Sequence, residues 1–398
     1  MLITARRVLV GPGTYLDDGA VLVEGDSIAE VGPRAQIEER LGAGGTHLAF
    51  PEGTVVPGLI DAHVHLVFDG GADPVATLHE SSDETLLKDM RRRAEQLLSS
   101  GVTTARDLGD RNGLALRLDA EIAGGSTPGP RIISAGTPAT PPGGHCHFLG
   151  GEVSGEAEAR DLVRRNVEAG ATVIKAMVTG GGLTKDGPKS WQSQFSREEL
   201  QALVDEAHRA GLPVAAHAHG TDGITAAVEA GVDTIEHCTW MTSDGFDLRQ
   251  DVLKQIIDRG IAVCPAVSPH WQMLPRFFGE ERAAAMFDLV RQMADAGAKL
   301  IAGTDAGVQR TGFDGLAPAL AFYAHLGLPN SRILDMATAD AADALGLGGT
   351  TGRIAAGFRA DLLVIDGDPL EDLSVLKEIR AVVAEGRLHE PGNTSAQQ

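Results

Sequence analysis

The sequence predicts an α/β fold: a (βα)8 TIM-like barrel with a small β-sandwich domain formed from both chain ends. Three observations carry this prediction: a helix–glycine–strand unit recurs through the middle of the chain, the predicted strands there number eight, and both ends read as β-rich. At 398 residues there is room for one barrel-sized domain and a smaller one. A hydrophobic fraction of 43% with 22% charged residues is ordinary for a globular chain and argues against disorder, fibre or coiled coil.

Taken in order, residues 1–57 alternate as strands do, as in Ala20-Val21-Leu22-Val23-Glu24, and Gly25-Asp26 falls where a tight hairpin turn is needed. The tail matches, with one strand over Ala360–Ile365 and another over Ala381–Arg387. Residues 1–57 plus 352–390 are therefore read as the small β domain and residues 58–351 as the barrel. From about His389 the chain is polar and is read as a frayed end.

In the middle, a helix ends in glycine and a short apolar strand begins after Gly101, Gly170, Gly211, Gly231, Gly260 and Gly297. Glycine just past a helix takes the left-handed conformation that other residues resist. The helix before Gly211 can be read in full. Ser196 and Glu199 form a capping box, Leu200, Leu203, Val204 and Ala207 share one face, and Gly211 with Pro213 stops it. Strands at Val55–His65 and Arg131–Ala135 complete the eight, a number that suits a closed barrel better than an open sheet.

Polar residues keep phase with those glycines. Lys175 lies five residues after Gly170, His217 and His237 six after Gly211 and Gly231, and Asp305 eight after Gly297. Each falls near the C-terminal end of a predicted strand, the face on which barrels of this kind build their sites. His63 and His65 share strand parity and point the same way. A single strand-end histidine is ordinarily just a hydrogen-bonded residue, and a single lysine is usually solvated. Four imidazoles, a lysine and a carboxylate converging on one mouth are different, because burying them unpaired is costly and a metal makes the cluster favourable.

These stations carry a resemblance. Pro57-Gly58-Leu59-Ile60-Asp61-Ala62-His63-Val64-His65 resembles the first-strand signature of the amidohydrolase superfamily. Val173-Ile174-Lys175, Ala216-His217-Ala218-His219-Gly220, Thr234-Ile235-Glu236-His237 and Gly303-Thr304-Asp305-Ala306-Gly307 match its other stations in order, and Ala356–Leu362 resembles the return to its small β domain. Thr104-Ala105-Arg106-Asp107-Leu108-Gly109, Gly143-Gly144-His145 and Gln194-Phe195-Ser196 are similar to the binuclear-metal Xaa-Pro dipeptidase and imidazolonepropionase-related hydrolases. The resemblance implies one metal on His63, His65 and Asp305, a second on His217 and His237, and Lys175 carboxylated by CO2 as the bridge. Zinc suits these ligands best, with manganese or cobalt as substitutes. It further implies a hydroxide shared by the two metals as nucleophile, with Asp305 as the catalytic group that takes its proton and hands it to the leaving nitrogen. A homo-oligomer is implied as well.

Other signals are weaker. His145-Cys146-His147 has the composition of a metal motif but follows the flexible Pro141-Pro142-Gly143-Gly144. The resemblance gives His145 a substrate contact and leaves Cys146 and His147 as bystanders. His219 reads equally as a substrate contact or as a hydrogen-bond donor behind the site, and Arg310 as a carboxylate binder or a surface ion-pair partner. Gly180-Gly181-Gly182 reads as an anion cradle or, by preference, as a loop that permits close approach, and Lys185, Trp191 and Gln192 as a lid. His47, His79 and His208 are read as surface residues. Gln309-Arg310-Thr311-Gly312 departs from the Pro-His-Gly type of segment carried by relatives, which bears on substrate rather than on the metals.

Lys and Arg number 34 against 55 acidic residues, a formal net charge of −21 that repels nucleic acid and anionic membrane. Three cysteines, Cys146, Cys238 and Cys264, give no disulfide framework and suit a reducing compartment. Met1–Val10 lacks a signal-peptide core, so a cytoplasmic location and a small-molecule substrate are expected. The function expected is hydrolysis of an amide bond in a dipeptide or N-acyl amino acid. The alternative is a cyclic amide, carbamate or lactone, as for an imidazolonepropionase. Deamination is disfavoured because Gly220 stands where those deaminases carry glutamate. A non-catalytic scaffold is disfavoured by the complete ligand set.

Overall fold

The computed structural model describes residues 1–41 and 45–390. Four strands open the chain: β1 (Leu2–Gly11), β2 (Thr14–Glu24), β3 (Ser27–Pro33) and β4 (His47–Pro57). The Gly25-Asp26 turn forms as expected: Glu24 opposes Ser27, and Gly25 takes φ 61°. The middle carries β5 (Leu59–Val64), β6 (Val102–Asp107), β7 (Arg131–Ser134), β8 (Ile174–Met177), β9 (Val214–Gly220), β10 (Thr234–Met241) and β11 (Ala262–Cys264). The tail adds β12 (Leu362–Asp366), β13 (Ile379–Ala384) and β14 (Arg387–His389).

Strands from both ends hydrogen-bond into one seven-stranded sheet, ordered β14-β13-β12-β4-β1-β2-β3. Ile3, Val8, Val21, Ile28, Val55, Leu362, Val364 and Val383 pack into one buried cluster on it, so the first and last segments share a core. The expected single strand over Ala381–Arg387 is instead a hairpin. Glu385 and Gly386 turn at φ 51° and 74°, and Gly386 lies so close to Gly25 that an added Cβ would sit 2.0 Å from its carbonyl oxygen. His389 belongs to this hairpin, opposite Val382, rather than to a frayed end; the residues from 391 onward lie outside the described residues.

The middle strands form two parallel sheets, β5-β6-β7 and β8-β9-β10-β11. Parallel neighbours need crossover connections, and helices supply most of them, including Asp83–Ser99, Leu114–Ala123, Gly155–Ala169, Arg197–Arg209 and Thr221–Ala230. All six punctuating glycines have positive φ, between 69° and 97°. The Ser196–Glu199 capping box is formed, and Leu200, Leu203, Val204 and Ala207 are all buried. Isolated parallel bridges join Ala139 to Ala176, Val263 to Leu300 and Val64 to Ala306.

The stretch after Gly297, expected as the eighth strand, makes only those bridges at Leu300 and Ala306. Its regular course ends at Asp305, which takes φ 60°. Crowding also holds it: a Cβ on Gly303 would lie 2.6 Å from the Cys264 sulfur and 2.9 Å from His63 Cβ. Buried Asp61 fastens it to β5, accepting from the backbone N–H of Thr304 (3.1 Å), from its hydroxyl (2.6 Å) and from the N–H of His63 (3.2 Å). No described helix is long and apolar enough to cross a membrane.

Candidate active site

The side chains expected to converge do so. His63 lies on β5 and His65 directly after it, Lys175 on β8, His217 and His219 on β9, His237 on β10, and Asp305 at the end of the broken eighth segment. Ring centroids stand 5.3 Å apart for His63–His65, 5.1 Å for His63–His237, 4.7 Å for His217–His237 and 4.4 Å for His219–His237. Asp305 Oδ1 lies 3.4 Å from His63 Nε2 and 3.6 Å from His65 Nε2. Three triads present ligand atoms within 4.8 Å of one another: His63, His237 and Asp305; His217, His219 and His237; and His63, Glu236 and Cys264.

Hydrogen bonds fix which nitrogen each ring presents. A carbonyl oxygen only accepts, so His65, bonded through Nδ1 to Gly109 O at 3.1 Å, carries its proton there and turns a bare Nε2 toward Asp305. His217 is the reverse, since Nε2 bonds Gly180 O at 3.1 Å and leaves Nδ1 with the lone pair. The Thr239 hydroxyl donates to the His219 carbonyl at 3.2 Å and so accepts from His219 Nδ1 at 3.0 Å.

Burial, assisted by the charge of Lys175, pushes His65 and His219 down to about 4, and burial above all holds His63, His217 and His237 well below the usual imidazole range. The rings are neutral at pH 7, as metal ligands must be. Burial raises Asp305 to about 7, opposed by Lys175. Lys175 is 1% exposed, its Nζ has no hydrogen-bond partner, and burial lowers its pKa. Neutral imidazoles and one carboxylate beside an orphaned buried amine are a donor set that fits divalent metal.

The backbone is bent to bring these groups together. Neighbours on a regular strand point to opposite faces, yet Glu236 and His237 both reach His63. Positive φ at His237 (69°), Cys238 (49°) and Trp240 (54°) breaks the alternation, a strain of the kind stored at functional sites.

Around this cluster, His145 is buried and packs against His217, the ring centroids 4.7 Å apart and the planes tilted by 32°. Its N–H donates to Gln194 Oε1 (2.7 Å), and its Nδ1 lies 3.3 Å from Thr184 Oγ1. The Cys146 sulfur is 3.5 Å from His145 Nε2, whereas His147 turns to Phe148. Gly180 offers His217 an acceptor, and a Cβ on Gly181 would lie 2.4 Å from His145, so the triple glycine permits close approach of the His145 ring. Lys185 is exposed and pairs with Asp73 at 3.0 Å. Arg310 is exposed on the loop after Asp305. His208 pairs with Asp233 at the surface, and His47 meets Thr4.

Sequence reasoning gave no role to two residues of the site, Glu236 and Arg106. Glu236 is fully buried and accepts from His63 Nδ1 (2.9 Å), Arg106 Nη2 (2.8 Å) and the Thr234 hydroxyl (2.6 Å). The signal was present: a glutamate and an arginine inside strands expected to be buried must find each other or another partner.

The sequence model of the Amidohydrolase family matches residues 54–388. Ochratoxinase of Aspergillus niger is 28% identical over 419 aligned positions, which cover 96% of this chain and 84% of the relative. Imidazolonepropionase of Chloroflexus aggregans is 26% identical over 396 positions, covering 88% and 85%. A crystal structure of a Xaa-Pro dipeptidase with methionine bound in its active site superposes with a TM-score of 0.85 at 28% identity, covering 98% of this chain and 99% of that one.

Proposed function

Because the chain belongs to the amidohydrolase family, whose members it resembles as a hydrolase of C–N bonds, we propose that it cleaves the amide bond of a dipeptide or N-acyl amino acid. Two divalent ions, most simply Zn2+, would be held by these residues: one by His63, His65 and Asp305, the other by His217 and His237, and Lys175 would serve both as its carbamate. The observation that carries this reading is the orphaned, fully buried Lys175 amine among neutral imidazoles. A carbamate converts that unsatisfied donor into an anion with two ligand oxygens. The bridges Ala139–Ala176, Val263–Leu300 and Val64–Ala306 support a ring of parallel strands closed into a barrel over residues 58–351. The shared core of the terminal strands supports a small β domain over residues 1–57 and 352–390, built on one seven-stranded sheet in place of the two layers of a sandwich.

When bound, the ions supply Lewis acidity toward the scissile carbonyl and make water a nucleophile at neutral pH. The chain's own residues do the rest. Asp305 keeps 21% of its side chain exposed, so a carboxylate oxygen can receive a proton from the site and deliver it to the leaving nitrogen. His145 packs against His217 at the mouth, where it can donate to a substrate carboxylate or carbonyl, with Gly181 leaving space for its ring. His219 lies beside His237 with Nε2 free to meet substrate. Arg310, exposed on the loop beyond Asp305, is assigned a substrate carboxylate at the rim.

The test is a panel of dipeptides and N-acyl amino acids, each paired with its neutral amide, assayed with Zn2+-loaded enzyme and with the His145→Ala and Arg310→Ala variants. Turnover of free acids, reduced selectively in the variants, is expected. Turnover confined to lactams, carbamates or lactones would overturn the substrate class in favour of the cyclic-amide reading.

A further inference from the structure

We propose that Glu236 is a positioning residue: it holds His63 in the tautomer protonated at Nδ1 and so reserves the Nε2 lone pair for a metal ion. The inference rests on the metal-site reading above.

The assignment follows from how the carboxylate is partnered. Oε1 accepts from Arg106 Nη2 at 2.8 Å and from the Thr234 hydroxyl at 2.6 Å. Oε2 is left to His63 Nδ1 at 2.9 Å. Arg106 cannot turn away, because its Nε donates to Ala62 O at 2.7 Å and its Nη1 to Thr234 Oγ1 at 2.9 Å. Thr234 in turn accepts from the arginine and donates to the glutamate, so its hydroxyl has a single consistent orientation. Every donor around Glu236 is spoken for, and a carboxylate only accepts. His63 therefore carries its proton on Nδ1 and turns Nε2 to Asp305, 3.4 Å away.

The hydrogen-bonded network thus spans β6, β10 and β5 beneath the cluster, with a buried arginine paired to the carboxylate. Cys264 also approaches, and His63, Glu236 and Cys264 offer atoms within 4.8 Å of one another. They do not suit a third ion: the Glu236 oxygens are occupied, and burial holds the Cys264 thiol well above its ordinary range, so it stays neutral.

Glu236→Gln is the discriminating change because it keeps shape and inverts one donor. Arg106 and Thr234 both need an acceptor at the Oε1 position, so the amide oxygen takes it and the NH2 group faces His63. The ring must then accept at Nδ1 and carry its proton on Nε2. Expected are a switched His63 tautomer in 15N NMR of the metal-free protein, assigned with His63→Gln, and affinity for one of two Zn2+ ions lowered by about 10- to 100-fold in competition with a chromogenic chelator. Glu236→Asp, which remains an acceptor, should keep the wild-type tautomer and recover part of the affinity, and it serves also if the glutamine variant fails to fold. An unchanged tautomer in Glu236→Gln, or equal losses of both ions in the Gln and Asp variants, would overturn the proposal and leave Glu236 as a core ion pair. A wild-type protein that binds no Zn2+ would sink the metal-site reading instead, while the tautomer measurement would still judge Glu236.

Discussion

Replacing Lys175 with methionine should change stability in opposite directions with and without metal. In the stripped protein the Lys175 amine is buried without a partner, and an unsatisfied buried polar group costs about 1–3 kcal/mol in proteins. Methionine fills similar space without that penalty, so the stripped variant should be more stable by that amount. With an unfolding entropy of about 2.1 cal/mol/K per residue, a chain of 398 residues should melt about 1–4 °C higher. The pH dependence has a definite sign. Burial lowers the Lys175 pKa from 10.5, so in the window between the lowered value and 10.5 the unfolded chain binds a proton that the folded one has released, and folding gains as pH rises through that window. The methionine advantage therefore shrinks as pH climbs toward the ordinary lysine value. Zn2+ and bicarbonate reverse the order: wild type gains binding free energy, about 2.7 kcal/mol at a hundredfold excess over Kd, whereas the variant lacks the bridge. Calorimetry of stripped and loaded forms, with elemental analysis, reads all of this. A stripped variant that melts several degrees lower would mean the amine has a partner in the apo fold. Full loading of both ions in the variant would refute the bridge.

Asp305→Asn should lower kcat by about 10²- to 10⁴-fold with the metals retained; near-normal turnover in a metal-replete sample would assign the proton to another group. Gly181→Ala places a Cβ 2.4–2.8 Å from His145 ring atoms. It should reduce kcat/KM as His145→Ala does, and the double variant should be no worse than either single one; additive losses would separate the two positions. Ser196→Ala removes the capping-box hydroxyl of the helix Arg197–Arg209 and should cost about 0.5–2 kcal/mol in denaturant unfolding. Its kcat should be unchanged, and full stability would show that the cap contributes nothing.

What the sequence determined by itself is what the chain encodes locally. The left-handed glycines after Ser100, Ala169, Ala210, Ala230, Arg259 and Ala296 mark helix ends because no other residue takes that conformation so readily. The Gly25-Asp26 hairpin and the Ser196 cap depend on neighbours a few residues away. Counting from the glycines put His217, His237, Lys175 and Asp305 in phase, and the structure gathers them at one mouth. Tertiary structure decided the rest, because the deciding partners are far apart in sequence. His63 meets Glu236 across 173 positions, and neither residue's periodicity announces the other. The left-handed turn at His237 lets successive side chains face one way, against the alternation that any reading of a strand assumes. The eighth segment has strand-like composition but breaks at Asp305, where Gly303 is pressed between Cys264 and His63. The tail hairpin turns locally at Glu385-Gly386, but only the folded chain brings Gly386 against Gly25 from the opposite end. Periodicity fixes which residues can face the site; long-range packing fixes which nitrogen each presents and which carboxylate holds it there.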